Sequence, residues 1–217
     1  MWLMRPPGVY RAQEDTDLLI SRVVQEPLRP GDEVLDVGTG TGAVALAAAG
    51  TGARVTAIDV SWRALATAWL NGALHRRRIR VRHGDLLAPV RGRKFALVVS
   101  NPPYVPAAAA EPPARGPARA WDAGPDGRAL LDRICREGPG VLDRGGVLLL
   151  VQSSLCGVEA TCLALERSGL DVRVTAQRVQ PFGPIMSARA GWFEERGLIA
   201  VGEREEELVV VRGVRPR

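Results

Sequence analysis

The stretch Asp36-Val37-Gly38-Thr39-Gly40-Thr41-Gly42 joins an apolar run to an Ala-rich run, and this junction decides the fold. The apolar residues 33–38 (EVLDVG) predict a buried strand, and Thr41–Ala49 predicts a helix that stops at Gly50. Glycines at such a junction let the backbone approach a ligand closely, while the helix N-terminus supplies N–H donors. The order strand, glycine-rich turn and helix therefore indicates an α/β domain with a ligand site at the turn.

From this junction onward, strand-like apolar runs alternate with helix-like stretches, which is typical of a parallel sheet covered on both faces. Two later runs, Val172–Val179 and Glu207–Arg212, are expected to pair antiparallel at one edge, because little helix-forming sequence separates them. The expected fold is α/β, a seven-stranded, mostly parallel sheet with an antiparallel edge strand. The five expected parallel strands are Glu33–Gly38, Arg54–Asp59, Ile79–Gly84, Phe95–Ser100 and Val147–Ser153.

Helices are expected between the strands. Ser61 and Asp126 are the expected caps of two of them. The faces expected to point inward are Trp62, Leu65, Ala66 and Trp69, then Leu130, Leu131 and Ile134, and then Val158, Cys162 and Leu165. Two segments are expected to be irregular: Pro106–Pro125, and Pro181–Glu195 with only a short helix around Gly191–Arg196. A loop as long as Pro106–Pro125 tends to be functional or mobile.

Length and composition indicate an ordinary globular domain. The chain has 217 residues, 46% hydrophobic and 24% charged, with a net charge of +5 carried almost wholly by arginine. Its three cysteines form no CxxC pair, and with only two histidines no zinc spacing is recognisable. No apolar run approaches the ~18 residues of a membrane span, and no signal peptide is recognisable. These features predict a cytoplasmic protein that has no metal site and does not contact a membrane.

Three carboxylates follow the ends of the first three expected strands: Asp36, Asp59 and Asp85. Asp59 suits two ribose hydroxyls, and Asp85 suits an adenine amino group. Asp36, placed before the glycines, suits an α-amino group better than a pyrophosphate. Each carboxylate alone is also a reasonable helix cap or turn residue, but three at successive strand ends point to one cofactor site.

The same region also matches the dinucleotide fingerprint. Gly38, Gly40 and Ala43 fit G-x-G-x-x-G/A, and Asp59 lies about 20 residues further along. A nucleotide-binding oxidoreductase that uses NAD is therefore an alternative. No acid/base pair of the dehydrogenase kind is recognisable, which argues against it.

Asn101-Pro102-Pro103-Tyr104 ends the fourth expected strand. Two prolines stop a central strand abruptly, because each lacks an N–H donor and has a fixed φ. The Asn101 amide oxygen and the Pro102 carbonyl can then accept the two N–H bonds of a planar NH2 group, while Tyr104 can stack on its plane. A Pro-rich turn without a binding role is the structural alternative.

The chain resembles the class I S-adenosylmethionine-dependent methyltransferases, and among them the HemK2-like branch of the release-factor glutamine N5-methyltransferases. NPPY alone also occurs in adenine-N6 methyltransferases, whereas the EDT at 14–16 and the AW-x-x-G-x-x-G segment are more specific. The matching segments are 8–19 (GVYRAQEDTDLL), 34–42 (VLDVGTGTG), 57–61 (AIDVS), 84–87 (GDLL), 98–106 (VVSNPPYVP) and 120–133 (AWDAGPDGRALLDR).

This resemblance implies a Rossmann-like fold, S-adenosyl-L-methionine as the cofactor and a role for each matching residue. The residues implied to bind the cofactor are Thr16, Asp36, Gly38, Thr39, Gly40, Asp59, Asp85, Leu86 and Asn101. Those implied to bind the substrate amide or complete its site are Asn101, Pro102, Pro103 and Tyr104. Trp121, Asp122 and Gly124 are implied to shape the substrate pocket, although Asp122-Ala123 departs from the small residues that related chains favour.

The resemblance also implies a protein substrate, such as a translation release factor. Few residues precede Val34, so we expect the helical domain of the bacterial release-factor enzymes to be absent and 1–217 to form a single methyltransferase domain. Within it, 1–30 would cover the cofactor and 106–125 would form the substrate loop. The short forms of the family pair with a small zinc-binding protein along the third strand.

In this chain the third strand lies in the Arg-rich stretch 75–83, which also suits a solvated edge protected against strand pairing, or an acidic or RNA partner. Nucleic acid stays open as a partner, and an adenine-N6 methyltransferase acting on DNA or RNA is the main alternative function. Neither a recognition domain nor basic-aromatic interleaving supports that alternative. A cofactor-binding scaffold without activity is a third hypothesis, and the intact NPPY argues against it.

Overall fold

A computed structural model describes residues 2–9 and 13–217; positions 10–12 of the matched N-terminal segment lie outside the described residues. The strands are β1 Glu33–Val37, β2 Arg54–Asp59, β3 Ile79–His83, β4 Phe95–Ser100, β5 Leu142–Ser153, β6 Asp171–Pro181 and β7 Glu205–Val214. The α-helices are α1 Glu14–Val23, α2 Ala43–Gly50, α3 Trp62–Leu74, α4 Ala129–Glu137, α5 Val158–Arg167 and α6 Pro184–Glu195. Among the described residues, none of the helices has the length and apolar character to cross a membrane.

The seven strands form one sheet in the order β3-β2-β1-β4-β5-β7-β6. The chain builds outward from β1 to β3 and then returns to place β4 on the other side of β1, so the strand order reverses between β1 and β4. In open α/β sheets such a reversal leaves a crevice at the carboxyl ends of the strands, where ligands bind. The topology therefore places the candidate site beyond Val37 and Ser100.

The expected fold class is confirmed. β7 runs antiparallel to both β5 and β6, as its pairing registers show. The antiparallel strand is thus inserted one position in from the edge, and β6 forms the edge itself. β5 starts at Leu142, earlier than expected, because Leu142 pairs with Phe95 before an irregularity that precedes Val147.

Of the inward face expected for α3, Leu65 is buried as expected, but the other three positions are wrong. Trp62 and Trp69 are 70% and 57% exposed, and Ala66 is exposed as well. The side of α3 that faces α2 carries small residues such as Ala68. The two helices approach so closely there that a Cβ added to Gly42 would lie only 2.9 Å from Ala68. A helix that approaches the α2 N-terminus so closely has no room for an indole, and the tryptophans lie on its outer side.

Two other local expectations differ from the structure. Asp126 does not cap α4: its carboxylate accepts a hydrogen bond from the Arg128 N–H at 3.0 Å, and Arg128 itself occupies the N-cap position. The Arg128 guanidinium instead donates to the carbonyls of Cys156 and Gly157 after β5. Arg128 therefore joins the start of α4 to the segment that follows β5.

Residues 184–195 form the twelve-residue helix α6, so the expectation of an irregular segment there is wrong. Pro184 lies in the first turn, where a missing N–H costs little. Met186, Ala190 and Phe193 are buried at helical spacing. The loop 106–125, by contrast, contains only the four-residue 3-10 helix Pro117–Ala120.

Candidate active site

A cavity of about 820 Å³ opens at the carboxyl ends of the central strands. This volume lies within the range of small-molecule sites, about 300–1,000 Å³. The cavity brings together all the residues implied to bind the cofactor or the substrate amide: Thr16, Asp36, Gly38, Thr39, Gly40, Asp59, Asp85, Leu86, Asn101, Pro102, Pro103 and Tyr104. Their roles toward a ligand stay predictions, whereas their proximity is a structural fact.

The glycine-rich loop after β1 forms one wall of the cavity with its backbone. Gly38 and Gly40 have φ values of 72° and 55°, in the left-handed region that favours glycine. A Cβ added to either residue would meet no atom within 4 Å. Because both glycines line the cavity, a side chain there would extend toward space that a ligand can use.

Asp36 lies at the base of this loop and is almost fully buried. Its Oδ2 atom accepts hydrogen bonds from the Thr39 hydroxyl at 2.6 Å and from the Ala45 N–H at 3.1 Å. Burial raises the pKa of Asp36 to about 7, although the two hydrogen bonds oppose the shift and the nearby Asp59 reinforces it. One carboxylate oxygen thus holds the loop and the start of α2 in place.

Asp59 ends β2 and links two backbone segments. Its Oδ2 accepts a hydrogen bond from the Gly40 N–H at 3.0 Å, and its Oδ1 accepts one from the Ser61 N–H at 2.8 Å. Burial raises its pKa, while these hydrogen bonds and the charge of Arg119 act in the opposite direction. Ser61 also caps α3 by accepting a hydrogen bond from the Ala64 N–H, as the sequence indicated.

Asp85 forms an ion pair that the sequence did not reveal. Arg133 of α4 donates to both carboxylate oxygens of Asp85, at 2.6 and 3.3 Å. Both residues line the cavity, next to the buried Leu86, which has a positive φ of 45°. Arg133 belongs to the segment 120–133 that matched the family, but nothing local in that segment indicates its partner.

At the other end of the cavity, four side chains are joined by hydrogen bonds. The Asn101 Nδ2 donates to the Thr16 hydroxyl at 3.2 Å. That hydroxyl donates to Asp15 Oδ1 at 3.1 Å, and the Thr16 N–H donates to the same oxygen at 2.6 Å. The Tyr104 hydroxyl donates to Asp15 Oδ2 at 3.1 Å. Asp15 was not among the predicted site residues, because its part in the site depends on contacts with residues far along the chain.

The loop 106–125 folds back over the cavity. Val105 pairs with the backbone of residues 121–123. Its N–H donates to the Trp121 carbonyl at 2.8 Å, and its carbonyl accepts a hydrogen bond from the Ala123 N–H at 3.0 Å. Trp121 and Arg119 line the cavity.

Asp122 and Gly124, which were implied to shape the substrate pocket, are not among the residues that line the cavity. Asp122 forms an ion pair with Arg189 of α6 at 2.6 Å. The Gly124 carbonyl accepts a hydrogen bond from the Ala107 N–H at 2.9 Å. Both residues therefore fold the loop rather than face the cavity.

The edge of the sheet at β3 carries a basic and aromatic surface. Arg80, Arg82 and His83 are exposed along the strand, and the His83 ring stacks on Trp62 with centroids 4.1 Å apart. Trp69 is exposed on the adjacent α3. In the part of the chain that the structure describes, no group of histidine, cysteine and acidic side chains has the arrangement of a metal site.

Residues 1–114 match the family model described as the methyltransferase small domain. A protein of Methanocaldococcus jannaschii, named as a candidate protein N5-glutamine methyltransferase, is 35% identical over 85% of this chain and 92% of its own length. The chain belongs to this methyltransferase family. The release factor glutamine methyltransferase of Geobacter sulfurreducens is 33% identical over 85% of this chain and 67% of its own length.

The same fold occurs in a solved complex from E. cuniculi. This is the Mtq2-Trm112 complex, which is responsible for the methylation of the translation termination factor eRF1. The match has a TM-score of 0.66 and 22% identity, and covers 96% of this chain and 99% of that one. At this identity the likeness shows a shared fold, and the methyltransferase family rests on the sequence relatives.

Proposed function

We propose that this protein transfers a methyl group from S-adenosyl-L-methionine to the side-chain amide nitrogen of a glutamine in a protein substrate. The observation that carries this proposal is the position of Asn101 and Pro102. They end β4 at the reversal of the strand order, in the same cavity as Asp36 and Asp59. The glutamine methyltransferases among the relatives of the chain support the choice of acceptor.

The cofactor half of the cavity suits a ligand with a positive charge and hydroxyl groups. Asp36 and Asp59 line it, and the charge of Arg119 acts on Asp59. Both carboxyl groups offer acceptors, which suits the donors of an α-amino group and a ribose diol better than a pyrophosphate, itself only an acceptor. Asp85 and Leu86 would border the adenine, with Arg133 holding Asp85 in position.

The N-terminal segment would close this half, in keeping with a cofactor-covering role for 1–30. Gly8 and Val9 line the cavity. The segment before them is held on α3, because Asn71 exchanges two hydrogen bonds with the Met4 backbone, at 2.9 and 3.0 Å. Thr16 also lines the cavity and would reach the cofactor from α1.

The acceptor half presents the groups that a primary amide needs. The Asn101 Oδ1 and the Pro102 carbonyl would accept the two N–H bonds of the substrate amide and fix the orientation of its nitrogen. They would also offset the positive charge that develops on this nitrogen, more strongly when water is excluded. Tyr104 would stack on the amide plane, and Pro103 keeps the turn stiff.

The bound cofactor supplies a methyl group made electrophilic by its sulfonium sulfur. The residues of this chain therefore need only bind and orient the amide. The excess proton on the nitrogen would leave to solvent, so the proposal assigns no dedicated base and no metal.

For the substrate we propose a translation release factor, by analogy with the relatives that act on such factors. The loop 106–125 would contact it, because Trp121 and Arg119 of this loop line the cavity. We also treat 1–217 as a single methyltransferase domain. The one sheet and the continuous core support this reading.

We further propose that a small partner protein binds along the free edge of β3. β3 is the terminal strand of the sheet, so within residues 2–9 and 13–217 no strand lies beside its outer backbone groups. The exposed Trp62 and Trp69 lie on the adjoining helix. A large exposed apolar side chain next to an unpaired edge is typical of an interaction surface.

Two measurements test the proposed activity. S-adenosylhomocysteine is expected to raise the melting temperature of the protein while NAD does not, and the reverse would favour an oxidoreductase. When the purified protein and methyl-labelled S-adenosyl-L-methionine are added to a lysate of cells that lack this protein, the label is expected to enter a protein of the lysate. Label in nucleic acid alone would favour the adenine-N6 alternative.

A further inference from the structure

We infer that Asp15 and Thr16 act as positioning residues that set the rotation of the Asn101 amide, so that its oxygen and not its NH2 group faces the substrate. This inference rests on the proposed function, since it concerns the orientation of the proposed amide acceptor. Asp15 thereby has a role in the site, and Thr16 orients Asn101 in addition to its proposed contact with the cofactor.

The need for such a device follows from the shape of asparagine. The oxygen and NH2 ends of a side-chain amide are nearly equal in size, so packing alone does not select one rotation over the other. A substrate NH2 group donates two hydrogen bonds and requires an acceptor. Asn101 can serve it only in the rotation that presents Oδ1, and the other rotation sets two donors against each other.

The contacts around Thr16 select the useful rotation. The Thr16 hydroxyl has one hydrogen, which it donates to Asp15 Oδ1 at 3.1 Å. Its remaining capacity is to accept, so a group that approaches it must donate. Asn101 donates its Nδ2 to this hydroxyl at 3.2 Å, which turns Oδ1 the other way.

Asp15 is placed to keep this polarity fixed. It is 3% exposed, and its Oδ1 also accepts the Thr16 N–H at 2.6 Å. Its Oδ2 accepts the Tyr104 hydroxyl at 3.1 Å, so the same carboxylate contacts Tyr104 directly and reaches Asn101 through the Thr16 hydroxyl. Both carboxylate oxygens of Asp15 are acceptors in these contacts. In this hydrogen-bond network the donors point toward Asp15, from Asn101 through the Thr16 hydroxyl and from Tyr104 directly.

Thr16→Val tests the inference, because valine keeps the shape of threonine without the hydroxyl. The Asn101 side-chain NH2 resonances, identified by their loss in Asn101→Ala, report directly on its hydrogen bond in an NMR spectrum of the whole protein. We expect slow solvent exchange of one of these protons in the wild type, exchange about 3–10-fold faster in Thr16→Val, and recovery of the slow exchange in Thr16→Ser. This readout does not require turnover.

Activity supplies the second readout. With a glutamine-containing substrate, Thr16→Val is expected to lower kcat by about 3–10-fold, and Thr16→Ser to recover most of it. The dissociation constant of S-adenosylhomocysteine is expected to change less than kcat. Thr51→Val is the matched control for the NMR measurement, because it makes the same substitution at a hydroxyl that donates to the Ala48 carbonyl, and it should leave the Asn101 resonance protected.

The outcomes separate this inference from the proposed function. Fast exchange of the Asn101 NH2 protons in the wild type, or unchanged exchange in Thr16→Val, would overturn the positioning role whatever the substrate is. A loss in Thr16→Val seen only as weaker cofactor binding would also overturn it. If the Asn101 protons are protected in a wild-type protein that methylates no glutamine, the orienting contact stands and the proposed function is rejected.

Discussion

Asp59 Oδ2, at the end of β2, accepts a hydrogen bond from the Gly40 N–H of the loop after β1, over 3.0 Å. The other oxygen of the same carboxylate accepts the Ser61 N–H at the start of α3. One side chain thus fixes the glycine-rich loop relative to β2 and α3. The cofactor half of the cavity is therefore arranged by the protein's own hydrogen bonds.

Asp59→Ala removes both contacts and the proposed ribose acceptor. We expect the dissociation constant of S-adenosylhomocysteine to rise about 10–100-fold, because hydrogen bonds to charged groups are stronger than neutral ones. Isothermal titration calorimetry measures this constant. Asp171→Ala, at an exposed position where β6 begins, is the control and should bind like the wild type. Equal affinities for Asp59→Ala and the wild type would remove Asp59 from the site.

Cofactor affinity is expected to depend on pH through Asp36. Burial raises the pKa of this carboxyl to about 7, so below that pH it is largely protonated in the ligand-free protein. A neutral carboxyl does not pair with the α-amino group, and binding must displace the proton. Affinity should therefore fall by up to about tenfold per pH unit below pH 7, and level off above it.

The measurement is a series of titrations with S-adenosylhomocysteine from about pH 5.5 to 8.5. In Asp36→Asn the affinity should be weaker at high pH and its dependence on pH should be flatter. A wild-type affinity that stays constant across this range would show that Asp36 does not face the cationic end of the ligand.

Gly42→Ala is expected to destabilise the fold. Gly42 has a φ of 82°, and an added Cβ would lie 2.9 Å from the Ala68 backbone of α3. The strained backbone and the contact together should lower the free energy of unfolding by about 2–4 kcal/mol. Gly50→Ala, at the other end of α2, meets no atom within 4 Å and serves as the control. Urea unfolding of the two variants measures the difference. Equal urea midpoints for Gly42→Ala and Gly50→Ala would mean that α2 and α3 can move apart to admit the added Cβ.

The β3 edge is expected to need its exposed tryptophans for partner binding. Trp69→Glu places a charge on the proposed interaction surface and should abolish co-purification of a small partner from the native cells, while the melting temperature stays near that of the wild type. Leu163→Glu is the control, because Leu163 is 41% exposed on α5, which packs against β6 and β7 at the other side of the sheet. A partner retained equally by both variants would place the interaction elsewhere.

Features with a local cause could be predicted from the sequence. The turn after β1 depends on glycines within seven residues, and the end of β4 depends on Pro102 and Pro103. The positions of Asp36, Asp59 and Asp85 follow from the strands that precede them. All of these residues line one cavity because parallel strands end on the same edge of a sheet.

Features set by contacts between distant residues could not be predicted from the sequence. Trp62 was expected inside because its spacing is helical, but the approach of α3 to Gly42 decides which side faces the core. Arg133 and Asp85 are 48 residues apart, and Asp15 and Tyr104 are 89 apart, so no local pattern links them. Most of the helix α6 was missed because Pro181–Glu195 was expected to be irregular, whereas Pro184 occupies the first turn of a helix, where proline is tolerated.

In the proposed function, Asn101 binds the glutamine amide that receives the methyl group. The most direct measurement incubates the protein with S-adenosyl-L-methionine and a release-factor fragment that contains a Gly-Gly-Gln loop, and locates the added methyl group by mass spectrometry. We expect one methyl group on that glutamine, and at least about 100-fold less methylation by Asn101→Ala, which should still bind S-adenosylhomocysteine. Wild-type turnover by purified Asn101→Ala would contradict it.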